Sequence, residues 1–310
     1  MSPLCEPLTG IVTTDISAVT RGRFVAASRL EKLRETGIGW LQANVSLTPF
    51  NAIADPNPWG SSGDLRLLPD ADARFRTDKT GAATPFDMVP GNLVELDGSP
   101  WACCTRTMLS DALADLKAAT GLSLLAAVEQ EFQIFGANLP PALSFEGLRR
   151  ADPFASQLIA SLTEAGVSPE VIIAEFGLDQ FEVTHAPCDA LAAADRAVAI
   201  REITREIARL RGWKASFAPK TSPSSVGNGV HIHFSLLDGK GAPATYDKHG
   251  PAGLSSAAAS FCAGVLRHLP GMTALTASSV ASYYRLKPHN WSSSYTWLGD
   301  KDREATLRIC

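Results

Sequence analysis

Two glutamates stand two residues apart, Glu129 and Glu131, in AAVEQEFQIF. In an extended chain such residues point to one face, so this segment presents a pair of carboxylates between apolar neighbours. Adjacent like charges need a counter-ion. Mg²⁺ or Mn²⁺ supplies it, because hard cations favour carboxylate oxygen and bridge to phosphate; the alternative is one exposed face of an edge strand. His231 and His233 in NGVHIHFSL share a face by the same rule. No cysteine or HExxH partner accompanies them, so one imidazole in an oxygen-rich site fits better than zinc, with His233 as a hydrogen-bonded support. Glu175 and Glu182 bracket a turn in AEFGLDQFEV, and a hairpin reversal there brings both carboxylates to one place, although each taken singly reads as a solvated surface residue. Arg285, Arg303 and Arg308, in ASYYRLKPH and DREATLRIC, offer planar donor forks suited to carboxylate and phosphate, or to ordinary surface ion pairs.

The elements that position these residues follow from local pattern. Between Gly10 and Asp97 the apolar runs are short and broken by Gly, Pro, Asn and Asp, which predicts a small β-rich domain with loops at NAIADPNPWGSSG and TDKTGAATP. From Thr107 to Thr120 a helix is predicted, with Leu109, Leu113 and Leu116 on one face and Gly121 to stop it; a second domain starts about here. The end of LSLLAAVEQEFQIF alternates as a strand, and IIAEFGLDQFEV reads as two short strands about a turn. Asp189 to Arg211 is the longest helix candidate, closed by Gly212. VHIHFSLL is a strand by its alternation, and Ala252 to His268 a further helix.

Composition narrows the function classes. At 310 residues, 45% hydrophobic and 19% charged, the chain is long and apolar enough to bury two cores. A net charge of -4 and a pI near 5.9 give no basic stripe, which argues against nucleic acid or an anionic membrane as the main partner. Six cysteines show no CxxC spacing, and the adjacent pair Cys103 and Cys104 is poorly placed to bridge, so reduced thiols and a cytoplasmic setting are expected. The start, MSPLCEPLTG, has no basic flank and apolar run, and no stretch approaches the roughly 18 apolar residues of a membrane span.

Order and spacing together resemble the glutamine synthetase superfamily, particularly the branch, including gamma-glutamylpolyamine synthetases, that glutamylates amines other than ammonia. TDISAVTRGRFV is similar to that family's opening strand pair, WGSSGDLRLLPD to its N-terminal loop and AAVEQEFQIF to its ExE strand. EFGLDQFE resembles E-x-x-P-G-Q-x-E, FAPK with GNGVHIHFSL resembles the K-P and G-x-G-x-H-x-H-x-S-L segments, and SYYRL with DREATLR resembles N-S-Y-x-R-L and N-R-x-x-x-x-R. The resemblance implies an α+β fold, with a β-grasp-like N-terminal domain over residues 1–103 and a catalytic domain over 104–310 whose curved antiparallel sheet is backed by helices. It implies Glu131, Glu175 and Glu182 as ligands of a first metal, Glu129 and His231 as ligands of a second. It places Arg285 on the substrate α-carboxylate beside Gly227 and Gly229, Arg303 and Arg308 on the phosphate side, and Ser235 and Lys220 near the nucleotide. The implied cofactors are ATP with Mg²⁺ or Mn²⁺. The implied reaction is phosphoryl transfer to a glutamate γ-carboxylate followed by attack of an amine, in a homo-oligomer with sites between subunits.

Four positions depart from the family pattern. Trp291 stands where ammonia-using members carry a flap glutamate, which predicts an organic amine as acceptor, lined by the indole. Asp179 and His289 replace glycines and Ala281 an asparagine; Asp and His both tolerate the positive φ that glycine supplies. Relatives of this kind continue for roughly another hundred residues beyond the position of Cys310, the size of a small domain, so a truncated or reduced homologue is expected. Two other readings compete, a catalytically silent assembly or regulatory relative and a guanidino-kinase-type phosphotransferase.

Overall fold

The computed structural model describes residues 5–137 and 142–310; residues 1–4, where the expected N-terminal domain begins, lie outside that description. The chain divides into two compact units, one of Met1–Ala112, Ala151–Glu170 and Leu191–Lys214, the other of Leu113–Arg150, Val171–Ala190 and Ala215–Cys310.

Short alternating segments with turn residues between them build the first unit's sheet. β1 (Leu8–Thr14), β2 (Thr20–Ala26), β3 (Ile38–Leu41), β4 (Asp64–Pro69), β5 (Phe75–Thr77) and β6 (Phe86–Val94) lie in the order β2-β1-β6-β4-β3, with β5 beside β6. The β1–β6 pair is parallel and the other described pairs are antiparallel. Ile11, Trp40, Leu65, Leu67, Val89 and Leu93 form its core, with Leu30 added from α1 (Leu30–Thr36). The β-rich expectation did not include α1, because seven residues are too short to show a helical period. Gly37 closes that helix at φ 60°, and its amide donates to the Leu33 carbonyl.

α2 (Thr105–Thr120) begins two residues before the predicted start, and Leu109, Leu113 and Leu116 are half-buried on one face, as the spacing predicts. Its first turn carries Arg106, whose guanidinium donates to Asp195 at 2.8 and 3.0 Å, to Asp70 at 2.6 Å and to Asn92 at 2.9 Å. Arg106 and Asp195 are both nearly buried, so removing one leaves the other charge short of a partner in a poor solvent for ions. Asp195→Ala is expected to cost about 3 kcal/mol in denaturant unfolding, and the double replacement Arg106→Met with Asp195→Leu to recover most of it. An equal loss in the double variant would contradict this account.

The second unit is organised on β7 (Ser123–Phe135), a 13-residue strand. α3 (Phe145–Arg150) and α4 (Phe154–Glu164) follow, the latter belonging to the first unit. β8 (Pro169–Ala174), β9 (Gln180–His185) and β10 (Cys188–Asp189) then lead into α5 (Ala190–Leu210), which matches the predicted long helix to within a residue at each end. β11 (Lys214–Ser216) and β12 (Val230–Leu237) both pair with β7, β12 antiparallel, and the sheet order is β10-β7-β9-β8. One face is closed by apolar packing, including Ala126, Val128, Phe132, Ile134, Phe181 and Val183, all buried. That burial is why the VEQEFQIF alternation is clean.

α6 (Ser256–Thr276) starts at the Ser255 cap and runs eight residues past the predicted His268 end. It passes through Pro270, which forfeits a backbone bond, and good helix formers such as Leu269 and Met272 on either side sustain it. Ala258 and Cys262 pack on Leu236, and the Phe234 and Phe261 rings meet edge-on at 5.0 Å. α7 (Val280–Arg285), β13 (Tyr295–Asp300) and β14 (Ala305–Ile309) complete the unit, the last two forming a separate ribbon. The architecture is α+β, as expected. Among the described residues no helix is long and apolar enough to cross a membrane.

Candidate functional site

Strand register assembles the site. Glu129 lies opposite His231 on β12 and opposite Thr184 on β9, while Glu131 lies opposite Glu182. Residues directly opposite in an antiparallel pair share a face, so Glu129, Glu131, Glu182, His231 and His233 all emerge on the side of the sheet away from the apolar packing. Ligand atoms of Glu129, Glu182 and His231 lie within 4.8 Å of one another. This group crosses the two ligand sets that the family resemblance implies.

Glu129 is held between two imidazoles, with His231 Nδ1 and His233 Nε2 each 2.9 Å from one of its oxygens. These contacts hold its carboxyl well below the usual range and raise the His233 pKa. Only the His233 contact has hydrogen-bond geometry; His231 Nδ1 is buried and has no partner of suitable angle. His233 thus supports Glu129.

Glu182 is pushed up to about 7, first by burial and then by the charges of Glu129, Glu131 and Glu175. Glu131 is also raised by burial, an effect opposed by the Gly229 amide and by Arg285. Glu175 sits at the turn, where its backbone amide donates to Gln180 at 2.8 Å; it acts on Glu131 and Glu182 through charge and is not one of the three convergent donors. Crowded carboxylates, one of them held towards its protonated form, beside an imidazole nitrogen that touches Glu129 without hydrogen-bond geometry, are a donor set that a hard divalent cation satisfies. The residues present fit Mg²⁺ or Mn²⁺.

Arg285, at the end of α7, packs where two glycines leave room. A Cβ at Gly227 would lie 2.6 Å from its Cγ and Cδ, and one at Gly229 would lie 2.7 Å from its Nη2 and 2.9 Å from Glu131 Oε1. Burial lowers the Arg285 pKa against the pull of Glu131. Gln180, buried and two residues before Glu182 on the same face, donates through Nε2 to Glu131 at 3.1 Å, to the Gly227 carbonyl at 2.8 Å and to Asn228 Oδ1 at 2.9 Å. Sequence reasoning left out Gln180 and Asn228; the signal was Gln180's even spacing from Glu182.

A cavity of about 430 Å³ adjoins these groups, lined in part by His231, Ser235, Arg285, Trp291, Arg303 and Arg308. Lys220 is not among its lining residues: its ammonium donates to the Ser225 carbonyl at 2.7 Å. Asp179 and His289 adopt φ values of 54° and 64°, so both occupy the left-handed conformation that the replaced glycines would supply.

Residues 6–101 match the glutamine synthetase N-terminal domain and residues 102–310 the glutamine synthetase catalytic domain. The gamma-glutamylpolyamine synthetase GlnA3 of Streptomyces coelicolor is 34% identical over 307 residues, 95% of this chain and 65% of the relative; the chain thus spans about two thirds of that protein's length. A crystal structure of a novel glutamine synthase homolog superposes with a TM-score of 0.94 at 45% identity, covering 100% of this chain and 74% of that one. A GmaS/ADP complex gives 0.80 at 25% identity, covering 98% and 71%. The chain belongs to the glutamine synthetase family.

Proposed function

We propose that this chain carries the catalytic centre of an ATP-dependent ligase that joins the γ-carboxylate of glutamate to an amine through a γ-glutamyl phosphate, and that the amine is organic. The observation that carries the reading is the convergence of Glu129, Glu182 and His231 donors on the face that also holds Glu131, whose carboxylate pulls on the half-buried Arg285. Family membership and the ADP complex of the structural relative support the nucleotide.

In this reading Glu129, Glu182 and His231, with Glu131 and Glu175 nearby, would hold a divalent ion, which would supply positive charge against carboxylate and terminal phosphate. Arg285 binds the glutamate α-carboxylate with Gly227 and Gly229 open beside it. Arg303 and Arg308 neutralise the transferring phosphate, and Ser235 lies on the nucleotide side of the same cavity. Lys220 would act from outside the cavity lining. A carboxylate is a poor electrophile; its acyl phosphate has a leaving group that an amine displaces. Residues 1–103 and 104–310 serve as the two domains of one subunit, and the working form is a cytoplasmic homo-oligomer with sites between subunits, which light scattering checks.

The acceptor is assigned from Trp291. It lines the cavity with an indole in place of a carboxylate, and an indole face attracts alkylammonium by cation–π contact. The polyamine synthetase relative supports an organic amine. With Mg²⁺ or Mn²⁺, ATP and glutamate, ADP release is expected to be faster with a polyamine, monoamine or ethanolamine than with ammonium. Trp291→Ala is expected to lower kcat/KM for the organic amine about tenfold while sparing the glutamate KM. Ammonium outcompeting every organic amine would overturn the assignment.

A further inference from the structure

The loop after Arg285 is wound on two polar anchors. One is Ser292, 2% exposed, whose hydroxyl accepts the Lys287 amide at 3.2 Å and donates towards the Arg285 and Lys287 carbonyls at 3.0 and 3.1 Å. The other is Glu304, half-buried, whose two carboxylate oxygens each take a backbone amide: Oε2 accepts His289 N at 3.0 Å and Oε1 accepts Trp291 N at 2.6 Å. Both donors are left-handed, at φ 64° and 50°, a conformation that a bulky L-residue such as tryptophan adopts only when its surroundings enforce it. Two amides aimed at one point make an anion-binding concavity, and here the anion is a side chain of the chain itself. Glu304 is in turn presented by a turn in which its own amide donates to Asp302 at 2.9 Å.

We infer that Glu304 is a positioning residue for the acceptor amine: its carboxylate fixes the left-handed backbone at His289 and Trp291 and so sets where the indole stands in the cavity. The inference rests on the ligase reading for its kinetic consequence, though not for the clamp itself. Among the described residues Glu304 is the acceptor recorded for these two amides, so the backbone at His289 and Trp291 depends on a residue 13 positions away from Trp291, next to the phosphate-side Arg303. Trp291 itself carries no carboxylate. The neighbouring acid serves the backbone of that position.

Two measurements on the full chain test this with Glu304→Gln, Glu304→Ala and Glu304→Asp. In amide hydrogen exchange, Glu304→Ala is expected to speed exchange across residues 286–294 while leaving β7 and β12 unchanged, with Glu304→Gln intermediate because a neutral amide oxygen accepts more weakly than a carboxylate. In turnover, Glu304→Ala is expected to raise the organic-amine KM roughly tenfold or more, with the KM for glutamate and for ATP unmoved and Glu304→Asp recovering part of the loss. Unchanged exchange in 286–294 overturns the clamp. A uniform rise in all three KM values overturns the acceptor role and leaves Glu304 as a general stabiliser. If the wild-type chain turns over no amine, the ligase reading fails, and the exchange comparison alone still decides whether Glu304 holds the loop.

Discussion

Mn²⁺ or Mg²⁺ at a hundredfold excess over its Kd is expected to raise the melting temperature of this chain by roughly 5 °C or more, and Glu182→Gln to abolish the rise. The cause is electrostatic. Burial first, and then the charges of Glu129, Glu131 and Glu175, push the Glu182 pKa up to about 7 when no cation is present. A ligand that binds only the folded state adds stability in proportion to the logarithm of its excess, about 2.7 kcal/mol at a hundredfold. Glutamine at 182 keeps the shape and removes the charge, so the metal-free variant should melt no lower than the wild type while gaining nothing from the ion. In the ligase assay the same variant should lose at least about a thousandfold, because the charge opposing the phosphate goes with the metal. A full metal-induced shift retained in both Glu182→Gln and His231→Ala would show that the ion, if bound, sits elsewhere.

Gly229→Ala is expected to lower turnover by at least about a hundredfold at a stability cost of about 1 kcal/mol. The separation arises from what the added methyl meets: Arg285 Nη2 and Glu131 Oε1, both far ends of flexible side chains that can swing aside. The backbone at Gly229 is not left-handed, so alanine brings no conformational penalty of its own. Both displaced atoms belong to the site, and charged groups moved by about an ångström lose their alignment. Gly227→Ala makes a useful contrast, since the nearest atoms to its methyl are Arg285 Cγ, Cδ and Nε, with Glu131 not among them. That variant should raise the glutamate KM and keep the metal-induced melting shift, whereas Gly229→Ala should weaken both. Steady-state kinetics beside thermal melts distinguish them, and equal behaviour of the two variants would refute the assignment.

The parts of this structure legible in the sequence are those with one buried face. β7 alternates cleanly because apolar packing covers one side, and that alternation placed Glu129 and Glu131 on the other; β12 alternates in sequence and puts His231 opposite Glu129, although Val230 and Ile232 on its apolar face are exposed. The turn holding Asp179 was legible too, since aspartate is among the few residues that reach its positive φ without large cost. α3 and α4 were not, because the stretch around them is dense in Pro, Gly and Ser, which mask a short helical period. Which carboxylates converge was also hidden. Register decides that Glu182 sits opposite Glu131 and that Glu175 stays at the turn, and register depends on pairing partners that spacing alone does not reveal. Glu304 was invisible for a related reason: its partners, His289 and Trp291, are 15 and 13 residues away and contribute backbone atoms, which carry no residue-type signal.

Because β7 has a neighbour on each edge, carrying Glu182 on one side and His231 on the other, the site obeys a rule of parity. Losing one residue from β12 would swing both imidazoles to the far side of the sheet, whereas losing two would shift the ladder by one rung and keep an imidazole beside Glu129. Natural length variation in this strand should therefore come in even steps, with odd changes confined to the loops at its ends.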